Sequence, residues 1–308
     1  MARTSPTVRR RRLGQELRSL REMNGMTAEQ VAKELDWSPS KVSRIETTAI
    51  KVGTVAPRLV DDAVDVEQGT VDLRALLDVY GVVDKARRDG LLELGRESRE
   101  TAWWMRVQDR TPVRGFKDFI GFEAEARRIR TYEPSIVPGL LQTEDYARAM
   151  LRVMRTADVD LDEAVKQRLE RQQILVRSDD PVFYTALIDE AALRRPIGGK
   201  IRVTVMRDQI DKLLELSDVE NIEILVVPFE AGGHPGMGGA FTVLDLPHPD
   251  DPNIVYVEAI TDAMLLSDDK SVRYYNDVLD GVRSEAWGFD RSAEFLRALR
   301  DEYAAKVR

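Results

Sequence analysis

The stretch from Thr27 to Glu46 constrains the fold more than any other part of the chain, because it specifies two short helices and the sharp turn between them. Thr27 with Gln30 three residues later is a capping box, in which each side chain satisfies a backbone N–H at the helix start. Ser38-Pro39 opens the second helix, with serine as N-cap and proline at the first helical position, where its missing N–H costs nothing. Val31, Ala32 and Leu35 face inward on one helix, Val42 and Ile45 on the other. Ala32 is small where the next helix must cross, and Asp36 sits where the chain turns. Upstream, Leu13, Leu17 and Leu20 form the stripe of an amphipathic helix that Asn24-Gly25 ends. Three such helices predict a helix-turn-helix. The outward face of the third carries Ser38, Ser40, Lys41, Ser43 and Arg44, a short, polar, cationic surface suited to the base edges and phosphates of double-stranded DNA.

Charge supports that reading over a plain helical bundle. The net charge is −8, yet residues 1–52 hold 11 Lys and Arg against 6 Asp and Glu. A basic head on an acidic body suits a head that meets a polyanion. Arg9, Arg10, Arg11 and Arg12 follow a polar segment, and residues 1–12 are expected to form a flexible basic arm that tracks the phosphate backbone or enters the minor groove.

The 308 residues predict more than one domain. The helix-turn-helix domain is assigned to residues 13–82, with an acidic, linker-like insertion at about 47–69 and a helix that Thr70 caps and Gly81 ends. A connecting helix within 83–102 follows, and then a body at 103–308. In the body, residues 119–129 read as a helix and 130–141 as extended or turning. Residues 161–176, the segment around Met206–Leu214, and two C-terminal segments read as helices. Strand-like runs lie at 182–188, 222–227, 240–246 and 254–260, and the short loops between the later ones favour antiparallel pairing over βαβ repetition. The expected fold class is therefore a mostly α helix-turn-helix domain followed by an α+β domain with a largely antiparallel sheet.

The chemistry open to the body is narrow. There are no cysteines, and the two histidines, His234 and His248, each precede proline, so thiol catalysis, zinc-thiolate sites and a Ser-His-Asp triad find no support. No enzymatic activity, cofactor or metal is expected. The glycine-rich run 232–239 leads into a strand rather than a helix and lacks a Gly-Lys-Ser/Thr, so a mobile hairpin loop is expected there, with His234 solvated. Asp179-Asp180, Asp250-Asp251 and Asp268-Asp269 suit turns and caps. Glu123 and Glu125 are the acids to watch, and Trp103, Trp104, Phe116, Phe119 and Phe122 could form an aromatic pocket or simply pack. Trp103, Trp104, Phe122, Glu123 and His234 are the candidate ligand- or partner-binding residues. No stretch approaches the ~18–20 apolar residues of a membrane span. A cytoplasmic location follows.

The segment Met26-Thr27-Ala28-Glu29-Gln30-Val31-Ala32 through Ser43-Arg44-Ile45-Glu46 resembles the lambda-repressor/Cro-like, XRE-type helix-turn-helix. That resemblance implies a third helix in the major groove and dimers on paired half-sites. Ala28 and Asp36 replace the glutamine and glycine common in that family. Residues 136–149, read Ile-Val-Pro-Gly-Leu-Leu-Gln-Thr-Glu-Asp-Tyr-Ala-Arg-Ala, carry a second resemblance together with Trp103-Trp104, Phe122–Ala126 and Val226-Val227-Pro228-Phe229. They are similar to the uncharacterised C-terminal domain of actinobacterial, antitoxin-like regulators of the WhiJ type. This implies that the body senses a ligand or binds a small companion protein. Three functions remain: a DNA-binding transcriptional regulator that works as a homodimer, an antitoxin-like protein that mainly sequesters its companion, and an enzyme with an accessory DNA-binding domain.

Overall fold

The computed structural model describes residues 6–46, 66–98, 115–154, 160–177, 180–247, 251, 253–260 and 262–306. The chain divides into two compact units, residues 1–106 and 107–308.

The first unit is helical. It contains α1 (Pro6–Met23), α2 (Ala28–Glu34), α3 (Pro39–Glu46), α4 (Val66–Val79) and α5 (Lys85–Glu97). The predicted caps are present: Thr27 and Gln30 form a reciprocal capping box at α2, and Ser38 Oγ accepts from the Lys41 N–H at 3.2 Å. Asp36 makes the turn at φ 53°, in the left-handed region that its short side chain tolerates. Leu17, Leu20, Val31, Ala32 and Val42 pack in one core with Leu73, Leu76, Leu77 and Tyr80 of the α4 segment and Leu91 of α5. The helix expected to connect is thus part of the core of the first unit.

Two expectations change here. The basic arm is helical from Pro6 onward, because proline suits a first helical position and Val8 has a core to enter, being 1 % exposed. Val8, Arg11, Gly14, Leu17 and Leu20 share the buried face of α1, so the arginine run spreads around a helix instead of trailing as a tail. Residues 1–5 lie outside the described residues, as do 47–65 of the expected insertion. Residues 66–69 are helical, so α4 begins four residues before Thr70 and Thr70 is not its cap.

The second unit is α+β. Its six strands are β1 (Arg128–Glu133), β2 (Phe183–Asp189), β3 (Ile222–Val227), β4 (Phe241–Asp245), β5 (Ile254–Glu258) and β6 (Ala263–Leu266), in the order β3-β2-β1-β4-β5-β6. Strands β4 and β5 pair antiparallel as expected; β6, which the sequence does not announce as a strand, pairs antiparallel with β5, and β1 pairs antiparallel with β4. Strands β1, β2 and β3 pair parallel, which the reading of the loops did not anticipate. Helices α7 (Glu144–Met154) and α8 (Leu161–Arg171) fill the crossover from β1 to β2, and α9 (Glu190–Arg194) and α10 (Arg202–Ser217) that from β2 to β3. The expected helix at 119–129 stops earlier, as α6 (Phe116–Glu125), since Ile129 is needed in β1. Helices α11 (Asp269–Glu285) and α12 (Phe289–Lys306) close the unit, with Asp268 capping α11 through the Ser271 N–H at 2.9 Å.

The glycine-rich run is not a hairpin. Strand β3 is at one edge and β4 lies beyond β2 and β1, so residues 228–240 cross the ends of two strands. His234 is held there, its side chain only 5 % exposed, which corrects the expectation of a solvated ring. Its Nδ1 accepts from the Gly236 N–H at 3.2 Å, and its Nε2 lies 3.4 Å from the Tyr132 hydroxyl and 3.9 Å from Asp189.

Alternation along β1 decides which side chains meet. Tyr132 enters the core shared with Leu187, Val243, Val255, Leu279 and Val282, on the α11 side of the sheet. Thr131 and Glu133 point to the opposite face, as the pleat requires. There Thr131 stands in register with Thr242, and Thr242 with Tyr256.

Candidate nucleic-acid interface and ligand cavity

The recognition surface is built on α3. Its inner side is anchored by Glu46, 6 % exposed, whose carboxylate accepts from Arg21 Nε of α1 at 2.8 and 2.9 Å and from the Tyr80 hydroxyl at 2.7 Å. The hydrogen bond to Glu46, followed by its charge, raises the Arg21 pKa; burial and the same carboxylate raise that of Tyr80. Gly14 lets α1 approach this corner, because a Cβ there would lie 2.5 Å from the Glu46 carbonyl oxygen. This anchor is absent from the sequence reading, for its members are 25 and 34 residues apart.

On the outer side, Ser38, Ser40, Ser43 and Arg44 are exposed, and the Arg44 guanidinium makes no hydrogen bond or ion pair with any described residue. Lys41 is different. Its ammonium lies 2.9 Å from Asp72 of α4 and 3.7 Å from the centre of the Trp37 ring, so it is engaged within the protein. Among the arginines of α1, Arg11 is 5 % exposed, and Arg10 Nε donates to the Ser98 carbonyl at 2.8 Å. Arg9 and Arg12 are partly exposed.

The second unit contains a cavity of about 420 Å³ on the Glu133 face of the sheet. Its floor is Thr131, Glu133, Tyr184, Thr242 and Tyr256; α6 contributes Phe116, Phe119 and Glu123, and α8 contributes Arg168 and Arg171. Exposed Glu258, Ala259 and Ile260 form its rim. Phe119 stacks on Tyr256 with ring centres 3.9 Å apart, giving an aromatic slab. The size and the mix of apolar wall with few polar groups are those of a small-molecule site.

The charges in this cavity are unequally satisfied. Glu123 and Arg171 form a buried two-pronged pair, both contacts 2.8 Å. Burial works against the charge of Arg171, and Glu123 more than offsets it, so its pKa is raised. The Arg168 guanidinium donates to Gln142 Oε1 at 3.0 Å and has no carboxylate within ion-pair distance among the described residues. Burial, then the neighbouring Arg171, pushes its pKa down to about 10. The Glu133 carboxyl makes no hydrogen bond or ion pair with any described residue. Burial, then the charge of Glu258, pushes its carboxyl up to about 8.

The motif at 136–149 holds this wall in place. Gln142, 1 % exposed, donates to the Val137 carbonyl and accepts from Arg168; Gln209, fully buried, bonds the backbone at Leu141 and Thr143; and the Tyr146 hydroxyl accepts from the Val137 N–H. Of the candidate ligand residues, Glu123 lines the cavity. Phe122 is fully buried and does not line it, while Phe116 and Phe119 do. His234 is on the other face of the sheet, and Trp103, Trp104 and His248 lie outside the described residues. Glu133, Arg168, Arg171, Tyr256 and Glu258 were not anticipated. The pair Arg168 and Arg171, one helical turn apart on α8, was the one signal available.

A larger cleft of about 690 Å³ opens at the other ends of the parallel strands, where two of the lining arginines are already paired, Arg283 with Glu223 and Arg130 with Asp245. Among the described residues no group of three His, Asp or Glu could hold a metal ion, and no helix is long and apolar enough to cross a membrane. Residues 12–91 match a family model described as a helix-turn-helix domain, and residues 116–298 match one described as a domain of unknown function, DUF5753. No curated protein and no solved structure matches the chain.

Proposed function

The chain belongs to the DUF5753 family and carries a helix-turn-helix domain ahead of that region, and from this premise we propose that it is a sequence-specific transcriptional regulator whose C-terminal domain senses a small molecule. We place it with the XRE-type, WhiJ-like regulators on the order of its motifs. Exposed Arg44 on a helix locked into its scaffold by Glu46 is the observation that carries the DNA-binding reading. A fixed helix can aim one guanidinium at a guanine edge, and Ser40 and Ser43 are short enough to allow close approach. Lys41 supports the fold of this surface through Asp72.

The cavity supports sensing over catalysis. It has apolar walls, an arginine, Arg168, with no carboxylate in ion-pair distance among the described residues, and an acid, Glu133, whose carboxyl bonds to no described residue. The chain, by contrast, has no cysteine, and its one described histidine is on the other face of the sheet. One helix-turn-helix reads only a few base pairs, so the regulator acts as a homodimer on paired half-sites about one helical turn apart. The deciding experiment selects binding sites from random duplexes with the full chain and then compares wild type with Arg44→Ala at fixed salt. A base contact is worth ~1–3 kcal/mol, so affinity should fall roughly 5- to 150-fold on the selected site. Unchanged affinity removes Arg44 from the interface. Light scattering of the complex should give two chains per site, and one chain per site refutes the dimer.

A further inference from the structure

We infer that the cavity of the C-terminal domain takes a small organic cation, a protonated amine on a flat apolar body, with the ammonium at Glu133 and Glu258 and the body against Phe116, Phe119 and Tyr256. The inference rests on reading this cavity as the ligand site and adds the chemical class.

The charge balance of the cavity argues for a cation. Glu123 and Arg171 satisfy one another and leave Arg168 facing two further carboxylates, Glu133 and Glu258. A bound monocation makes that set neutral with both acids ionised. A bound anion would add negative charge beside Glu258 and could be drawn only to Arg168. A zwitterion would leave the set neutral only with Glu133 protonated, and its ammonium would then meet one carboxylate instead of two. Glu133 is the more buried of the two acids, and a buried carboxylate is costly unless a cation meets it, so the monocation is favoured. The wall agrees, since aromatic faces attract cations and Phe116 and Phe119 already receive the Arg171 guanidinium at 5.0 and 5.7 Å. Two acids, one of them, Glu258, already accepting from the Tyr256 hydroxyl, are too few to hold a metal ion with protein ligands alone.

Proton linkage gives the site a signature. The titratable and charged groups acting on Glu133 are Glu258 at the end of β5 and Arg168 on α8, and Tyr132, Tyr146 on α7 and Tyr184 on β2 also feel its charge. Empty, the Glu133 carboxyl titrates at about 8 and is mostly protonated at neutral pH. An ammonium beside it favours the carboxylate, so the proton leaves to the buffer as the amine binds.

Three probes with one body separate the headgroups: tryptamine, the alcohol tryptophol, and indole-3-propionate. Each is titrated into the full chain by calorimetry near pH 7, in two buffers of different ionisation heat. Tryptamine should bind at least tenfold more tightly than the other two and release close to one proton per molecule. Glu133→Gln should abolish both the preference and the proton release while thermal melting near pH 4 stays unchanged, since the Glu133 carboxyl bonds to nothing among the described residues and is mostly protonated there in the folded and the unfolded chain alike. Glu258→Gln should weaken tryptamine but not tryptophol. Equal binding of amine and alcohol, preference for the acid, binding of none of the three, or an unaltered Glu133→Gln profile each overturns the inference. DNA affinity measured in parallel separates the two readings. Selective tryptamine binding that leaves DNA affinity unchanged upholds the amine site and refutes its sensing role, whereas indole-3-propionate binding that shifts DNA affinity does the reverse.

Discussion

Removing the Glu46 carboxylate tests whether the recognition helix is positioned by the buried anchor. Glu46→Ala strips Arg21 Nε of both its Glu46 contacts and Tyr80 of its acceptor, while Arg21 keeps one hydrogen bond, from Nη1 to the Met26 carbonyl at 2.9 Å, and the more exposed Glu22 at 3.8 Å. The Arg21 side chain is 13 % exposed, so water replaces little of what is lost. Breaking a buried pair by deleting one partner costs about 3–5 kcal/mol. In a unit of roughly 100 residues each kcal/mol moves the melting point by about 4–8 °C, so a drop of roughly 12–40 °C is expected. Tyr80→Phe alone should cost about 1–3 kcal/mol, but close to nothing once Glu46 is alanine, because the hydroxyl then has no acceptor to lose. Glu46→Gln should be milder than Glu46→Ala, since an amide oxygen can still accept. Urea denaturation of the full chain, with hydrogen exchange at the amides of α1 and α4, reads this unit directly. Additive costs for Glu46→Ala and Tyr80→Phe, or a loss below about 1 kcal/mol for Glu46→Ala, would falsify the anchor.

Two glycines in helices should respond in opposite directions. Gly14→Ala places a methyl 2.5 Å from the Glu46 carbonyl oxygen and should cost about 1–3 kcal/mol with loss of DNA affinity, whereas Gly90→Ala meets nothing within 4 Å and should add about 0.5–1 kcal/mol. Equal effects in thermal melts would contradict the close crossing of α1 and α3. The Glu133 carboxyl rises from 4.5 to about 8 on folding, so the folded state binds its proton more tightly than the unfolded chain. Its contribution to stability is therefore full below pH 4.5 and is lost as pH rises toward 8. Glu133→Gln should match wild type near pH 4.5 and exceed it at pH 8; urea midpoints that stay parallel across that range would contradict the burial of this acid.

What could be read from the sequence was local. Caps at Thr27, Ser38 and Asp268 bond to groups three residues away, and the left-handed turn at Asp36 depends on one residue's own sterics. The antiparallel pairing of β4 with β5 followed from their short connection. Arg44 needed only the helical period to be placed outside. The tertiary structure decided the rest, because it depends on strand register and helix crossing, which no short window encodes. Lys41 has the same sequence credentials as Arg44 and differs only because α4 brings Asp72 against it. Glu133 and Glu258 are 125 positions apart and act on each other because β4 alone separates their strands. Glu123 and His234, both marked from sequence, lie on opposite faces of the sheet, since the pleat turns Tyr132 toward His234 and its neighbours Thr131 and Glu133 toward the cavity.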